Sequence, residues 1–457
     1  MLKKKKNTGL YLTITLIVLV LGAITWFLMT LFESEKPQIQ LEPLPDFLTG
    51  KQDLNLHVKD MKRGLRSVTV SLKQGGREIT AFEKQFPFSG LFNADGIHRF
   101  DTTFSLDPGQ FNLRDGRVDL EVTVRDYSRR NGGDGNLALM DHKMTLDTIP
   151  PAIRAISRLH YINVGGAGLV VYQASSDALK SGIYVNTLFF PGYPVADSAD
   201  GYHVCYFGIP LNIGKDHEIY LWAEDKAGNQ SNAVFYCRVK QKRFRTEKIN
   251  ITDRFLNKIF PYFSDYLKGM DAENLDKFLK INQELREKNT AAFAQLKDRT
   301  SADRLWSGVW TRLENAANMA RFGDRRKYYY KGKEVDQQTH LGVDLASLAN
   351  SHVQAANSGT VIFAGNMGIY GKTVVLDHGQ GLASTYSHLN GINVELGQEM
   401  AKGDVIGTTG QTGLAGGDHL HFGVMVNGLF VNPIEWWDPH WIEDNVTRKL
   451  NLMEDVK

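Results

Sequence analysis

Apolar and polar positions follow several distinct rhythms along the 457 residues. From Gly9 to Phe32 no charged residue occurs. At ~1.5 Å per residue such a run spans ~36 Å as a helix, enough to cross a hydrocarbon core of ~30 Å with some tilt. Lys3 to Lys6 precede it. The pattern predicts residues 1–8 as a cytoplasmic basic tail and 9–32 as a transmembrane anchor, with everything after Glu33 across the membrane by the positive-inside rule. A cleavable signal peptide is the rival reading. The apolar run exceeds a usual signal core, however, and no clear small-x-small site follows it.

From about Ile39 to Lys240 the rhythm changes to alternation, the mark of half-buried strands. DLNLHVKD, SVTVSLKQ, RFDTTFSL and RVDLEVTVRD come first, followed by GLVVYQA, GYHVCYFGIP, HEIYLWAED and AVFYCRVK. VDLEVTVRDYSRRNGGDGN (Val118 to Asn136) and EIYLWAEDKAGNQ (Glu218 to Gln230) each run a strand into an Asp and then a Gly-Asn turn, a weak internal repeat. That ending resembles the last hairpin of bacterial immunoglobulin-like domains. The paired prolines of Asp147 to Pro151 resist both helix and central strand and mark a boundary. Two immunoglobulin-like β-sandwich modules are therefore expected, at 39–148 and 149–242. Tyr220, Trp222 and Phe235 read as core rather than as a sugar-binding platform.

A helical period takes over near Ile251. In Asn274 to Asn289, Leu275, Phe278, Leu279, Ile281 and Leu285 recur close to every 3.6 residues, with charges on the other face. Thr252, Asp253 and Asp271 are suitable N-caps. Residues 250–317 are expected to form a helical connector, with Trp306 and Trp310 as packing residues. TVIFAG, KTVVLDHG, LASTYSHL, INVEL, DVIGTTG and HLHFGVMVNG are short β-prone runs separated by Gly-containing turns. They predict an antiparallel β domain over 318–440 rather than β-α-β units. Residues 441–457 read as a polar tail.

Composition changes this picture little. A net charge of +2 gives no strong basic excess, so nucleic acid is not indicated. Cys205 and Cys237 would lie where disulfides can form, and the two readings, a bridge or two buried thiols, stay open.

The chemistry concentrates in two short stretches. THLGVD (Thr339 to Asp344) and DHLHFG (Asp418 to Gly423) carry three histidines and an aspartate. Zinc binds imidazole nitrogen and carboxylate oxygen, and a catalytic site keeps three protein ligands and one open position. His340 and Asp344 supply one nitrogen and one oxygen. His419 and His421 are two apart, so on a strand they share a face and offer one ligand and one spare imidazole. His57, His98, His142, His160, His203 and His217 are scattered singly and read as surface or core residues. His352 and His440 receive no role, and His378 is expected to be structural.

From about Phe322 to Trp437, a quarter of the chain, the sequence resembles the LytM/lysostaphin-type zinc endopeptidases, which cleave peptide bonds in bacterial peptidoglycan. The stretches that carry the likeness, in order, are FGDRRKYYYKGK, THLGVDLAS, GTVIFAGNMGIYGKTVVLDHGQGLASTYSHL, VELGQEMAKGDVIGTTGQTGLAGGDHLHFGV and NPIEW. The resemblance implies Zn2+ held by His340, Asp344 and His421, with His388 and His419 as two unligated catalytic histidines. VELGQEMAKGDVIG also looks like the turn of biotinyl and lipoyl carrier domains, but the two histidine motifs have no place there.

The expected protein is thus mainly β: an anchor, two β modules, a helical connector and a peptidase domain beyond the inner membrane. Its expected substrate is the stem peptides or cross-bridges of peptidoglycan. The alternative is a non-catalytic LytM-like regulator that activates another wall hydrolase. Members of that kind have usually lost metal ligands, whereas all five implied residues are present here. The β modules are expected to serve as spacers or as a docking surface for a protein partner, and the helical connector could occlude the cleft.

Overall fold

The computed structural model describes residues 8–195 and 201–453. The expected basic tail at 1–8 falls almost wholly outside them, as do the last four residues of the polar tail. A helix, Thr8–Leu31, carries apolar side chains all round, and these are exposed. Gly9–Leu31 is long and apolar enough to cross a membrane. The remainder is mainly β, and the chain separates into two compact units: residues 1–150 with 227–229, and residues 151–226 with 230–457.

In the first unit, two sheets share one core. One has five strands in the order Phe47–Leu48, Leu137–Leu146, Gly116–Asp126, Leu65–Gln74 and Arg77–Gln85; the other has three, Gln38–Glu42, Gln52–Lys59 and Arg99–Leu106. The alternation predicted from sequence is kept: Val118, Leu120, Val122 and Val124 point inward, and so do Val68, Val70 and Leu72. Each inward aliphatic side chain contributes about 1.5–3 kcal/mol by leaving water. Gly116–Asp126 ends at the buried Asp126, whose Oδ1 accepts hydrogen bonds from the backbone N–H groups of Ser128 (2.9 Å) and Asn136 (2.6 Å). That is the turn chemistry the repeat signalled.

The second unit begins with two four-stranded sheets. One runs Tyr193–Pro194, Tyr202–Gly208, Ala167–Ala174, Ile153–Ala155; the other runs Leu188–Pro191, Ala178–Val185, Ile219–Asp225, Gln230–Val234. Leu221 and Ala223 face inward. Tyr220 and Trp222, expected in the core, are only half-buried on the opposite face, where they meet the rings of Tyr184 and Phe189. A period of two allows only one set to face the core, and the aliphatic set takes it. Cys205 and Cys237 are both free thiols.

The core of these sheets continues without a break into the rest of the unit. Glu435 accepts from the N–H of Ala167 at 2.9 Å, and Lys449 Nζ donates to the carbonyl of Leu169 at 3.0 Å. Trp306, Trp310 and Trp436 pack ring against ring in this core, so the two upstream tryptophans are packing residues as expected.

Helices occupy Asp253–Ile259, Asn274–Lys280 and Arg286–Gln295, with a π-helical turn, Ile281–Leu285, joining the last two. Thr252 caps the first by accepting from the N–H of Phe255. After Leu296–Arg299 the chain is irregular up to Ala317–Ala320 and not helical. There it lies over the sheet that carries the histidine motifs, with backbone bonds such as Leu305 N–H to the carbonyl of His378 at 2.9 Å.

The antiparallel sheet predicted around the histidine motifs is present. Its order is Ala317–Ala320, Val343–Ala346, Leu420–Val426, Leu382–Leu389, Lys372–Asp377, Gly359–Asn366 and Glu399–Met400, with Leu429–Val431 beside Leu420–Val426. Leu382–Leu389 and Leu420–Val426 are buried along their whole length, so both faces of the sheet are covered. A second sheet joins Thr246–Ile251, parallel, to Arg325–Tyr330, which pairs antiparallel with Lys333–Thr339.

Candidate active site

Strand pairing sets the site. Val343–Ala346 lies beside Leu420–Val426 so that Asp344 is directly opposite His421. On the other side of His421 lies Ser387, and His388 follows it. His340 sits on the turn entering Val343–Ala346. Its N–H donates to the carbonyl of Asp324, its carbonyl accepts from Gly323, and its Nδ1 lies 3.0 Å from the carbonyl of Arg321. With Nδ1 held there, Nε2 points inward.

Three donor atoms then converge. His340 Nε2 is 3.0 Å from Asp344 Oδ1 and 3.0 Å from His421 Nδ1, and His421 Nδ1 is 2.9 Å from Asp344 Oδ1. All three residues are buried. Lone pairs brought this close need something electropositive among them, and two nitrogens with one oxygen are a suitable donor set for a divalent metal. Burial drives the His421 pKa down to about 4, so its imidazole is neutral, as a ligand must be. The ionised form of Asp344 is disfavoured by burial, but the charge and hydrogen bond of His340, with further bonds from His419 and His421, outweigh that and hold its carboxyl well below the ordinary range. Gly342 makes the approach sterically feasible, because a Cβ there would lie 2.5 Å from His421 Nε2.

Two further imidazoles border this cluster. His388 Nδ1 is bound to the carbonyl of Thr412 at 2.7 Å, and His419 Nδ1 to that of Gly417 at 2.8 Å. The Nε2 atoms are left to face the site, that of His419 lying 3.6 Å from Asp344 Oδ1. Burial pushes His388 well below its usual pKa, and the nearby His419 and His421 add to that. For His419 burial acts the same way, but the hydrogen bond and charge of Asp344 prevail and raise it. His388 adopts φ +61°, an uncommon conformation for a non-glycine residue and one that clusters at functional sites.

All five residues read from the sequence therefore meet in one place. His378 does not join them; it is fully buried between the carbonyl of Ser358 and the hydroxyl of Ser384. Sequence reasoning did not single out Arg326, Tyr370 or Arg286. Arg326 Nη2 is 2.7 Å from Asp344 Oδ2, and the Tyr370 ring lies 5.3 Å from that of His421. FGDRRKYYYKGK contained Arg326, but nothing in that stretch distinguishes it from Arg325. The open space beside the cluster is only about 40 Å³, bounded on one side by Arg286 from the helix Arg286–Gln295. Arg286 thus narrows that side of the cluster to room for a few waters.

Residues 338–433 match the model of Peptidase family M23, so the C-terminal part of the chain is a domain of that family. Over 95 residues the chain is 37% identical to the DD-carboxypeptidase/endopeptidase Mpg of Neisseria meningitidis, an alignment covering 21% of this chain and 22% of that protein. It is 27% identical over 238 residues to the peptidoglycan DD-endopeptidase ShyB of Vibrio cholerae, covering 47% of this chain and 54% of that one. These alignments span between about a fifth and a half of those relatives. The catalytic domain of the antimicrobial peptidase lysostaphin from Staphylococcus simulans aligns with 29% identity and a TM-score of 0.24, over 27% of this chain and 94% of that one.

Proposed function

We propose that this chain is a membrane-anchored zinc endopeptidase that hydrolyses peptide cross-links of bacterial peptidoglycan. The observation that carries the reading is the convergence of His340, Asp344 and His421 with the two free imidazoles of His388 and His419 beside them. A bound zinc would polarise a scissile carbonyl and lower the pKa of a water toward ~7.

The protein's own residues handle the rest. His340, Asp344 and His421 hold the metal. His388, neutral because it is buried, suits a proton acceptor; His419, raised by Asp344, suits an N–H donor to a developing oxyanion. Each Nδ1–H donates to a backbone carbonyl, which leaves Nε2 of neutral His388 free to accept a proton, while His419 donates from Nε2–H in its protonated form. A non-catalytic regulator would have no use for this full set.

The helix from Gly9 anchors the chain, with Lys3 to Lys6 on the cytoplasmic side and the peptidase beyond the membrane, where peptidoglycan lies. The DD-endopeptidase names of Mpg and ShyB favour a direct cross-link, D-alanine to meso-diaminopimelate, over a glycine bridge. The full chain in detergent, given purified peptidoglycan, is expected to release muropeptides whose masses identify that bond. His421→Ala is expected to release none. No cleavage by a zinc-loaded wild type would overturn the catalytic reading.

A further inference from the structure

Asp344 uses its two oxygens differently. Oδ1 faces His340 and His421, whereas Oδ2 is 2.7 Å from Nη2 of Arg326, a contact in which both side chains are largely buried. Arg326 is itself fixed from outside the family-matched stretch. It pairs in register with Glu247 on the parallel strand Thr246–Ile251, and its Nε lies 3.8 Å from Glu247 Oε2. Glu247 Oε1 in turn meets Arg245 Nη2 at 3.2 Å, and the same Nη2 meets Asp324 Oδ2 at 2.9 Å. Asp324 closes the chain of charges on the other ligand, because its carbonyl accepts from the N–H of His340.

We propose that Arg326 is a positioning residue for the metal: by occupying Asp344 Oδ2 it presents Oδ1 alone as the ligand oxygen, and Glu247 holds Arg326 in place to do so. A guanidinium suits the task because it is always charged and its donors lie in a rigid plane, so it restrains the carboxylate's rotation as well as its charge. Without it, the Asp344 carboxylate would be free to rotate, and a bound ion would be held less firmly. Partners of ligands commonly contribute ~10–100-fold to metal affinity in this way.

The proposal rests on the reading of His340, Asp344 and His421 as metal ligands. The test uses the full chain in detergent, stripped of metal and titrated with zinc against a chromophoric chelator, and separately loaded with cobalt(II) for its visible spectrum. Arg326→Gln is expected to weaken zinc binding by ~10–100-fold and to change the cobalt band positions and intensities. Arg326→Lys, which keeps the charge without the planar fork, should fall between the two, and Glu247→Gln should lie closer to wild type. A purely structural role would lower the melting temperature of the metal-free protein and leave both metal readouts alone. Wild-type zinc affinity and cobalt spectrum in both Arg326 variants would overturn the proposal. Should the Gln variant not fold, the Lys variant decides on the same two measurements. A wild type that binds no zinc removes the proposal together with the metal reading, and is distinguishable because the variants then do not enter.

Discussion

The rings of His388 and His419 lie 4.8 Å apart, centroid to centroid, and neither is needed to complete the three-donor cluster beside them. Removing either should separate chemistry from metal binding. His388→Ala and His419→Ala are each expected to lower kcat on peptidoglycan by ~10²–10⁴-fold, the usual contribution of a positioned acid or base. Zinc content, measured by atomic emission, should stay at the wild-type level. Loss of zinc in either variant would move that histidine into the ligand set.

Arg286 narrows the space on one side of the cluster, so moving the segment that carries it should ease substrate entry. The segment that carries Arg286 is held to the peptidase by Asn282 Nδ2 and Gln283 Nε2, which donate to Asp336 at 2.7 and 3.0 Å, and by Asn289 Oδ1, which accepts from the N–H of Ile369 at 2.9 Å. Asp336→Ala removes two of these bonds. Initial rates of muropeptide release should rise severalfold. An unchanged rate would show that this segment does not limit access.

Glu435 sets a pH dependence of stability. Burial, opposed by its bond from Ala167, raises its pKa from 4.5 to about 7. Below pH 4.5 the folded and unfolded carboxyls are both protonated. Between 4.5 and 7 the unfolded chain releases its proton while the folded one retains it, so stability falls as pH rises, by up to about 3 kcal/mol, and then levels off. Urea unfolding of Glu435→Gln should lack this decline, and its stability relative to wild type should improve from pH 4.5 to 7. A parallel pH profile in the two proteins would refute the assignment.

Phe293 is fully buried between Tyr370 and Phe430, at ring distances of 5.0 and 5.3 Å. Phe293→Ala should cost ~3–5 kcal/mol, read as a lower urea midpoint. Because Tyr370 also borders His421, activity should fall further than the folded fraction does.

Periodicity made the strands legible: Val118 to Val124 alternate in the chain as they do in the core, and TVIFAG, KTVVLDHG, LASTYSHL and HLHFGVMVNG appear in the antiparallel sheet, whereas DVIGTTG joins a separate three-stranded sheet and INVEL contributes only Ile392. It also made the site legible, because His340, Asp344, His419 and His421 come in tight motifs and a resemblance supplied His388. What stayed hidden depends on contacts between distant segments. Arg326 differs from Arg325 only in which face of its strand it occupies, and the strand it pairs with, Thr246–Ile251, lies far back in the chain. Tyr220 and Trp222 misled because bulky apolar residues alternate as aliphatic ones do, and the period does not say which set turns inward. The helical connector expected up to 317 stops at Arg299, because beyond it Trp306 and Trp310 pack against Trp436 in an irregular stretch.

The parallel pairing of Thr246–Ile251 with Arg325–Tyr330 has a practical consequence for dissecting this protein. A fragment beginning near Arg321, where the family likeness starts, would leave Arg325–Tyr330 as a raw sheet edge and strip the cover from Trp436. Such a piece is expected to aggregate rather than to report on the intact protein. The portable unit that carries the site is therefore longer than its motifs suggest, and its natural cut lies at the Asp147 to Pro151 boundary, over a hundred and seventy residues upstream.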